Sequence, residues 1–270
     1  MRLGSDRWFE LRSYIRHFIR AKGPHGVHSP FVYNILTSVS ERPIDPAIAV
    51  SLQSLRERMF KDSRTLQKSD LGTGISGEIR IERIAKRSSQ PLAHSLFIAW
   101  LARLVESSEI VELGTSLGIT TAALAMMNAD AHVMSIEGCE NTADVARANM
   151  KSFNLSHVDI IHGEAMKVLN ERLPELRSAD FVFIDCNHTY NATMEYIRFF
   201  ISLEHPNLTI VLDDIYWSKE MNRAWRAIIA EGAFDISIDF FHFGVLFRRQ
   251  GKVRENFTLR LPLVLISERS

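Results

Sequence analysis

Apolar positions along this 270-residue chain follow two rhythms. Up to about residue 105 they return every three or four positions, the period of a helix with one buried face. Within 6–21 the returning residues are Trp8, Leu11, Ile15, Phe18 and Ile19, with arginines between them. Such a helix is expected to dock on its own domain or on a second subunit; a partner or a membrane surface is the alternative. Ser29-Pro30 reads as an N-cap followed by proline at the first helical position. Residues 46–62 predict a helix with Ile48, Leu52, Leu55 and Met59 on one face, and Pro91 to Val105 predict a stronger one.

From Glu109 the rhythm changes. Short apolar runs at 109–113, 132–136, 158–161, 180–184 and 208–212 predict strands. Helical patterns fill the gaps at about 119–128, 141–153, 164–172, 190–203 and 218–230. This alternation implies a parallel sheet covered on both faces. The runs 235–241 and 244–248 have almost nothing between them, so they predict an antiparallel hairpin. The expected architecture is α/β: a Rossmann-like, doubly wound, mostly parallel seven-stranded sheet with an antiparallel terminal hairpin and an N-terminal helical extension. The expected division is 1–90 (helical extension and loop), 91–250 (main domain) and 251–270 (tail). In the tail the apolar run Leu261 to Ile266 is read as packed back or used in a homodimer.

Two glycine-rich stretches compete for a ligand. Asp70-Leu71-Gly72-Thr73-Gly74-Ile75-Ser76-Gly77 follows a polar segment and precedes an alternating charged one. It lacks the strand before and helix after that a phosphate-binding loop requires, so it reads as a flexible loop over a site. In Glu112-Leu113-Gly114-Thr115-Ser116-Leu117-Gly118, by contrast, a strand precedes and a helix follows. That geometry holds a nucleotide-like ligand at the carboxyl end of a sheet, and glycine lets the backbone approach it closely. Glu137 ends the next strand, 23 positions after Gly114, where an acid can accept both hydrogens of a ribose diol. Glu112 is placed to hold a water or an ammonium group, or only to brace the loop. The amides around Ser116 suit a carboxylate.

Composition narrows the class. Lys+Arg and Asp+Glu are equal at 32 each, so no net field favours nucleic acid. Basic residues do collect near the start: Arg2, Arg7, Arg12, Arg16, Arg20 and Lys22 face only Asp6 and Glu10. Two cysteines, Cys139 and Cys186, are no disulfide framework, which favours a reduced compartment. No signal-peptide core is seen, and the longest apolar stretch, Leu96 to Val105, is broken by Arg103 and is shorter than the ~20 residues of a membrane span. A cytoplasmic protein is expected.

In these motifs the chain resembles the class I S-adenosylmethionine-dependent methyltransferases, nearest to O-methyltransferases of the catechol O-methyltransferase type and their bacterial relatives. The likeness covers residues 91–250. It rests on the Glu112–Gly118 loop, Ser135-Ile136-Glu137, Gly163-Glu164-Ala165, Phe183-Ile184-Asp185 and Leu212-Asp213-Asp214. The resemblance implies S-adenosylmethionine held by Glu112, Gly114, Thr115, Ser116, Gly118, Glu137 and Asp185, with Glu164 and Ala165 flanking the adenine. It also implies Mg²⁺ at Asp185, Asp213 and Asp214. Asp214 stands where that type has asparagine, and His188 where it has lysine. Those departures open the alternative that His188 is a general base oriented by Asp185 or Asp214. The expected acceptor is a small-molecule hydroxyl. Tyr216 and Trp217 are read either as acceptor-pocket walls or as core. A nicotinamide oxidoreductase fits less well, because Ser116 breaks the Gly-x-Gly-x-x-Gly fingerprint. A non-catalytic cofactor-binding protein is the remaining reading.

Overall fold

The computed structural model describes residues 4–41, 43–68, 77–249 and 253–262. Residues 70–76 of the first glycine stretch and 263–266 of the last apolar run lie outside them. In chain order the elements are α1 (Gly4–Arg20), a 3₁₀ turn at Pro24–Gly26, α2 (Pro30–Glu41), α3 (Pro46–Lys61), β1 (Thr65–Lys68), β2 (Gly77–Arg80), α4 (Ile81–Ser88) and α5 (Leu92–Leu104). Then follow β3 (Glu109–Leu113), α6 (Ile119–Met127), β4 (His132–Glu137), α7 (Glu140–Ser152), β5 (Val158–His162), α8 (Ala165–Glu171), α9 (Leu173–Leu176) and β6 (Phe181–Ile184). The chain continues with α10 (Tyr190–Ser202), β7 (Thr209–Asp213), α11 (Lys219–Glu231), β8 (Ile236–Asp239), β9 (Phe243–Phe247) and β10 (Glu255–Thr258).

The main sheet runs β10-β8-β9-β7-β6-β3-β4-β5 and is mostly parallel. It has eight strands among the described residues, not seven. The extra one is β10, in the segment expected to be tail, and it pairs parallel to β8. Its sequence, Glu-Asn-Phe-Thr, lacks an apolar run, so nothing local announced it. The hairpin β8–β9 is antiparallel, and β9 also pairs antiparallel with β7. A second difference lies at 65–80. The segments on either side of the stretch read as a loop, Thr65–Lys68 and Gly77–Arg80, form an antiparallel pair, β1 with β2. Both strands are polar and largely exposed, so they carry no apolar run. A strand therefore does precede that glycine stretch, but a strand also follows it, which still excludes a phosphate-binding loop there.

Of the described residues, those in 39–181 form one compact unit and those in 4–38 and 182–262 another. In the first, β3, β4 and β5 pair parallel, Ile110 with Val133 and Val133 with Val158. Helix α5 is buried from Ser95 to Ala102, hence apolar on every side, and packs with α3 and α6. In the second unit, α10 and α11 pack together. Each starts on a hydroxyl cap: Thr189 accepts from Ala192 N at 3.4 Å and Ser218 from Met221 N at 3.1 Å. Phe200, Phe243 and Phe247 are fully buried there.

Helix α1 does not bury its apolar stripe on its own domain, the first of the two docking sites expected: Trp8, Leu11, Ile15, Phe18 and Ile19 are exposed in the single chain. The docking residue is His17 on the opposite side, whose Nε2 lies 3.1 Å from the Asp239 carbonyl oxygen and 3.3 Å from its carboxylate. No helix among the described residues is long and apolar enough to cross a membrane.

Candidate active site

The loop between β3 and α6 is held open by its backbone. Gly114 and Gly118 have φ of 103° and 78°, and Ser116 between them has 48°. A non-glycine residue in this left-handed region is a constrained position of the kind that collects at ligand sites. Gly118 also has no room: a Cβ would meet Met150 Cε at 3.0 Å and Ala146 Cβ at 3.1 Å, so α7 sits directly against the loop. Asn149 Nδ2 donates to Leu117 O at 2.9 Å, and Gly114 N donates to Ile136 O at 2.9 Å.

Two acids serve this loop. Glu137 Oε2 accepts from Ser116 N at 2.8 Å and its Oε1 from Cys139 N at 3.0 Å. Burial raises its pKa. Each carboxylate oxygen keeps a further lone pair. Glu112 is fully buried. Its Oε2 accepts from Thr121 and Ser135 hydroxyls, both at 2.5 Å, and Thr115 Oγ1 lies 2.5 Å from Ser135 Oγ. Its Oε1 has no hydrogen-bond partner among the described residues. Burial pushes the Glu112 carboxyl up to about 7, so near neutral pH it holds its proton about half the time.

Glu164 has a different task in this structure. Its carboxylate accepts from Met166 N at 3.0 Å and Lys167 N at 2.8 Å, capping α8, and its side chain is exposed. Ala165 opens that helix. Two contacts were not anticipated. Ser88 Oγ, at the end of α4, lies 2.8 Å from Ser116 Oγ. Asn141 Nδ2 donates to Gln67 O at 2.7 Å, which ties β1 to the start of α7, beside Glu137. Gln90 also stands out: both polar atoms of its amide are buried with no partner among the described residues. Spacing in the sequence held no signal for these, because all three come from the 63–90 segment folding back.

The acids after β6 and β7 gather around a histidine. His188 Nε2 is 3.6 Å from Asp185 Oδ1 and 3.9 Å from Asp214 Oδ2. Asn187 and Asp214 both have positive φ, 44° and 54°, so each strand end turns sharply to present its side chain. Burial lowers the His188 pKa although the Asp214 charge opposes this, which keeps the ring neutral. The Trp217 ring lies 6.3 Å away, and Trp217 is partly exposed. Tyr216 is structural in its contacts: its hydroxyl donates to Asp239 at 2.8 Å and its ring stacks on Phe241. Asp213 is buried at the end of β7. Among the described residues, no three His, Cys, Asp or Glu side chains come together as a metal-binding group. The acids expected to hold Mg²⁺ are therefore not arranged as a ligand set. A cavity of about 280 Å³ at the amino ends of β3 and β4, lined by Glu109, His132 and Leu176 among others, contains none of the expected site residues.

Comparison with known proteins places this geometry. Residues 111–215 match the family model of a methyltransferase domain. The chain is similar to the O-methyltransferase imqG of Aspergillus flavus, 23% identical over 145 residues, which are 50% of this chain and 58% of that protein. It is also similar to the protein-L-isoaspartate O-methyltransferase of Chromobacterium violaceum, 33% identical over 96 residues, 36% of this chain and 40% of that one. It thus spans little more than half of these relatives at most. Among solved structures, the O-methyltransferase from Bacillus cereus in complex with SAH superposes with a TM-score of 0.54 at 20% identity, over 77% of this chain and 93% of that one. Strand order, loop and family match agree: residues 111–215 match a methyltransferase domain, and the chain has the fold of the S-adenosylmethionine-dependent O-methyltransferases it resembles.

Proposed function

We propose that this chain is an enzyme that transfers a methyl group from S-adenosylmethionine to a hydroxyl of a small molecule in the cytoplasm, nucleic acid not being its acceptor. The observation that carries the proposal is the glycine loop with left-handed Gly114, Ser116 and Gly118, backed by the buried Glu112 and by Glu137, which accepts from Ser116 N.

The loop residues fit the cofactor. Glu112 Oε1 is a buried acceptor still to be matched, and Glu137 retains lone pairs for a ribose diol. In this reading the cofactor, when bound, supplies a methyl group already activated on a sulfonium. The protein's share is orientation and one proton. His188 takes the hydroxyl proton at Nδ1, while Asp185 and Asp214, which lie beside Nε2, hold the ring and stabilise the imidazolium that forms. The Trp217 ring bounds the acceptor side. Glu164 and Ala165 flank the adenine while Glu164 caps α8. Asp185, Asp213 and Asp214 do not form a metal-ligand group among the described residues. The working division by role remains 1–90, 91–250 and 251–270.

Titration calorimetry tests this directly. S-adenosylmethionine should bind, and a panel of phenolic and aliphatic alcohols should yield methylated product. A chain that binds the cofactor yet methylates nothing would be a cofactor-binding protein of the same fold; a chain that does not bind it refutes the proposal.

A further inference from the structure

Helix α1 holds an apolar face away from the protein. Trp8 and Ile19 are 75% and 76% exposed, and Leu11, Tyr14, Ile15 and Phe18 are about half exposed. At ~100° per residue these six fall within an arc of roughly 140°. The helix cannot roll to hide them, because its other side is fastened. His17 is buried against Asp239, the His17 and Tyr14 rings meet Phe241 edge-on at 5.5 and 5.1 Å, and Lys22 bridges to Leu259.

The charges on the helix are sorted in the same way. Arg7, Arg12, Arg16 and Arg20 are all exposed, and Arg7 and Arg12 lie at the margins of the apolar arc. Asp6 and Glu10, the two acids, are half-buried on the His17 side. The Arg260 guanidinium stands 5.1 Å over the Phe18 ring and adds one more cation to the same face. Arg7, Arg12 and Arg260 border the apolar face, Arg16 and Arg20 lie farther round the helix, and the acids are turned to the His17 side.

We propose that α1 is an interfacial helix that seats this protein on an anionic lipid surface. An apolar face with flanking arginines and a tryptophan is the pattern of helices that lie in the headgroup region. Charge decides between this and a second copy of the chain. Two-fold self-pairing of the face would bring its bordering arginines near their symmetry copies with no acid on that face to offset them, whereas anionic headgroups neutralise the cations that border it. The proposal does not depend on what the enzyme methylates.

The test is partition of the full chain onto vesicles of phosphatidylcholine with 30% phosphatidylglycerol, and onto phosphatidylcholine alone, followed by co-sedimentation and tryptophan emission. Binding to the anionic vesicles should be at least tenfold tighter than to the neutral ones and should fall several-fold from 0.1 to 0.5 M NaCl. A blue shift in emission should disappear in Trp8→Phe. Ile15→Asp and Ile19→Asp together should cut binding at least tenfold without lowering the melting temperature, since both side chains are exposed. Absence of binding, equal binding to neutral vesicles, or a dimer in sedimentation that Ile19→Asp dissociates would each overturn it.

Discussion

The backbone amide of Ser116 donates to Glu137 at 2.8 Å, so the glycine loop after β3 and the acid ending β4 are one assembly. Glu137→Ala should therefore damage the loop and any diol contact together. We expect a loss of tenfold or more in S-adenosylmethionine affinity, the scale of one or two charge-assisted hydrogen bonds. Calorimetry on parent and variant checks this, and unchanged affinity would remove Glu137 from the site.

Glu112 should make stability depend on pH. Its folded-state pKa, about 7, lies above its unfolded value, so the folded chain keeps the proton longer. The stability it contributes is complete below about pH 4.5 and is lost as pH rises towards 7. Glu112→Gln mimics the protonated acid. At pH 8 that variant should be more stable in urea by on the order of 2–3 kcal/mol, and level with the parent at pH 4. Cofactor binding at pH 7 should also release a proton, because a cation near Glu112 favours its charged form. Binding heats in buffers of different ionisation enthalpy measure that release; identical heats would argue against it.

His188→Ala should lower turnover by about 10²–10⁴-fold while leaving cofactor affinity intact. Because burial lowers the His188 pKa, the parent should keep its rate down to pH values below 6.5. A profile whose acid limb lies above pH 7 would assign the base elsewhere.

Chelation should do little. The acids after β6 and β7 face His188 rather than a shared ligand point, so turnover in excess EDTA should match turnover in Mg²⁺. Loss of activity with chelator, restored by Mg²⁺, would require the strand-end acids to rearrange.

His17→Ala should loosen the anchor of α1. Burial alone would lower the His17 pKa, but hydrogen bonding and the charge of Asp239 outweigh it and raise the value. The stability gained is thus complete below about pH 6.5 and fades as pH rises through the raised value. The cost should be about 1–2 kcal/mol at pH 6 and less at pH 9. It stays moderate because Asp239 keeps the Tyr216 hydroxyl and Phe241 amide as partners. Urea midpoints at the two pH values decide.

Much of the central sheet was legible because its strands are buried on both faces and read as apolar runs: β3, β6 and β7 are almost wholly buried. The loop and Glu137 followed from strand, glycine and acid in order. What escaped was polar or tertiary. Thr65–Lys68 and Glu255–Thr258 pair through backbone hydrogen bonds, with side chains that carry no apolar run. The contact of Ser88 with Ser116 exists only because α4 folds back. The Glu164 cap was visible in principle, since an acid stood before a helical pattern, but its expected place beside a ligand obscured the local hydrogen bond. For α1 the period was right, but within this chain the fastened side is the polar flank, through His17.

That anchor also sets an order of events during synthesis. His17 and Asp239 are 222 positions apart. At a ribosomal rate of about 5–20 residues per second, roughly 10–45 s separate the emergence of the helix from that of its fastening point. For that interval α1 lacks its fastening point, and its apolar side is open to whatever attends the exit tunnel.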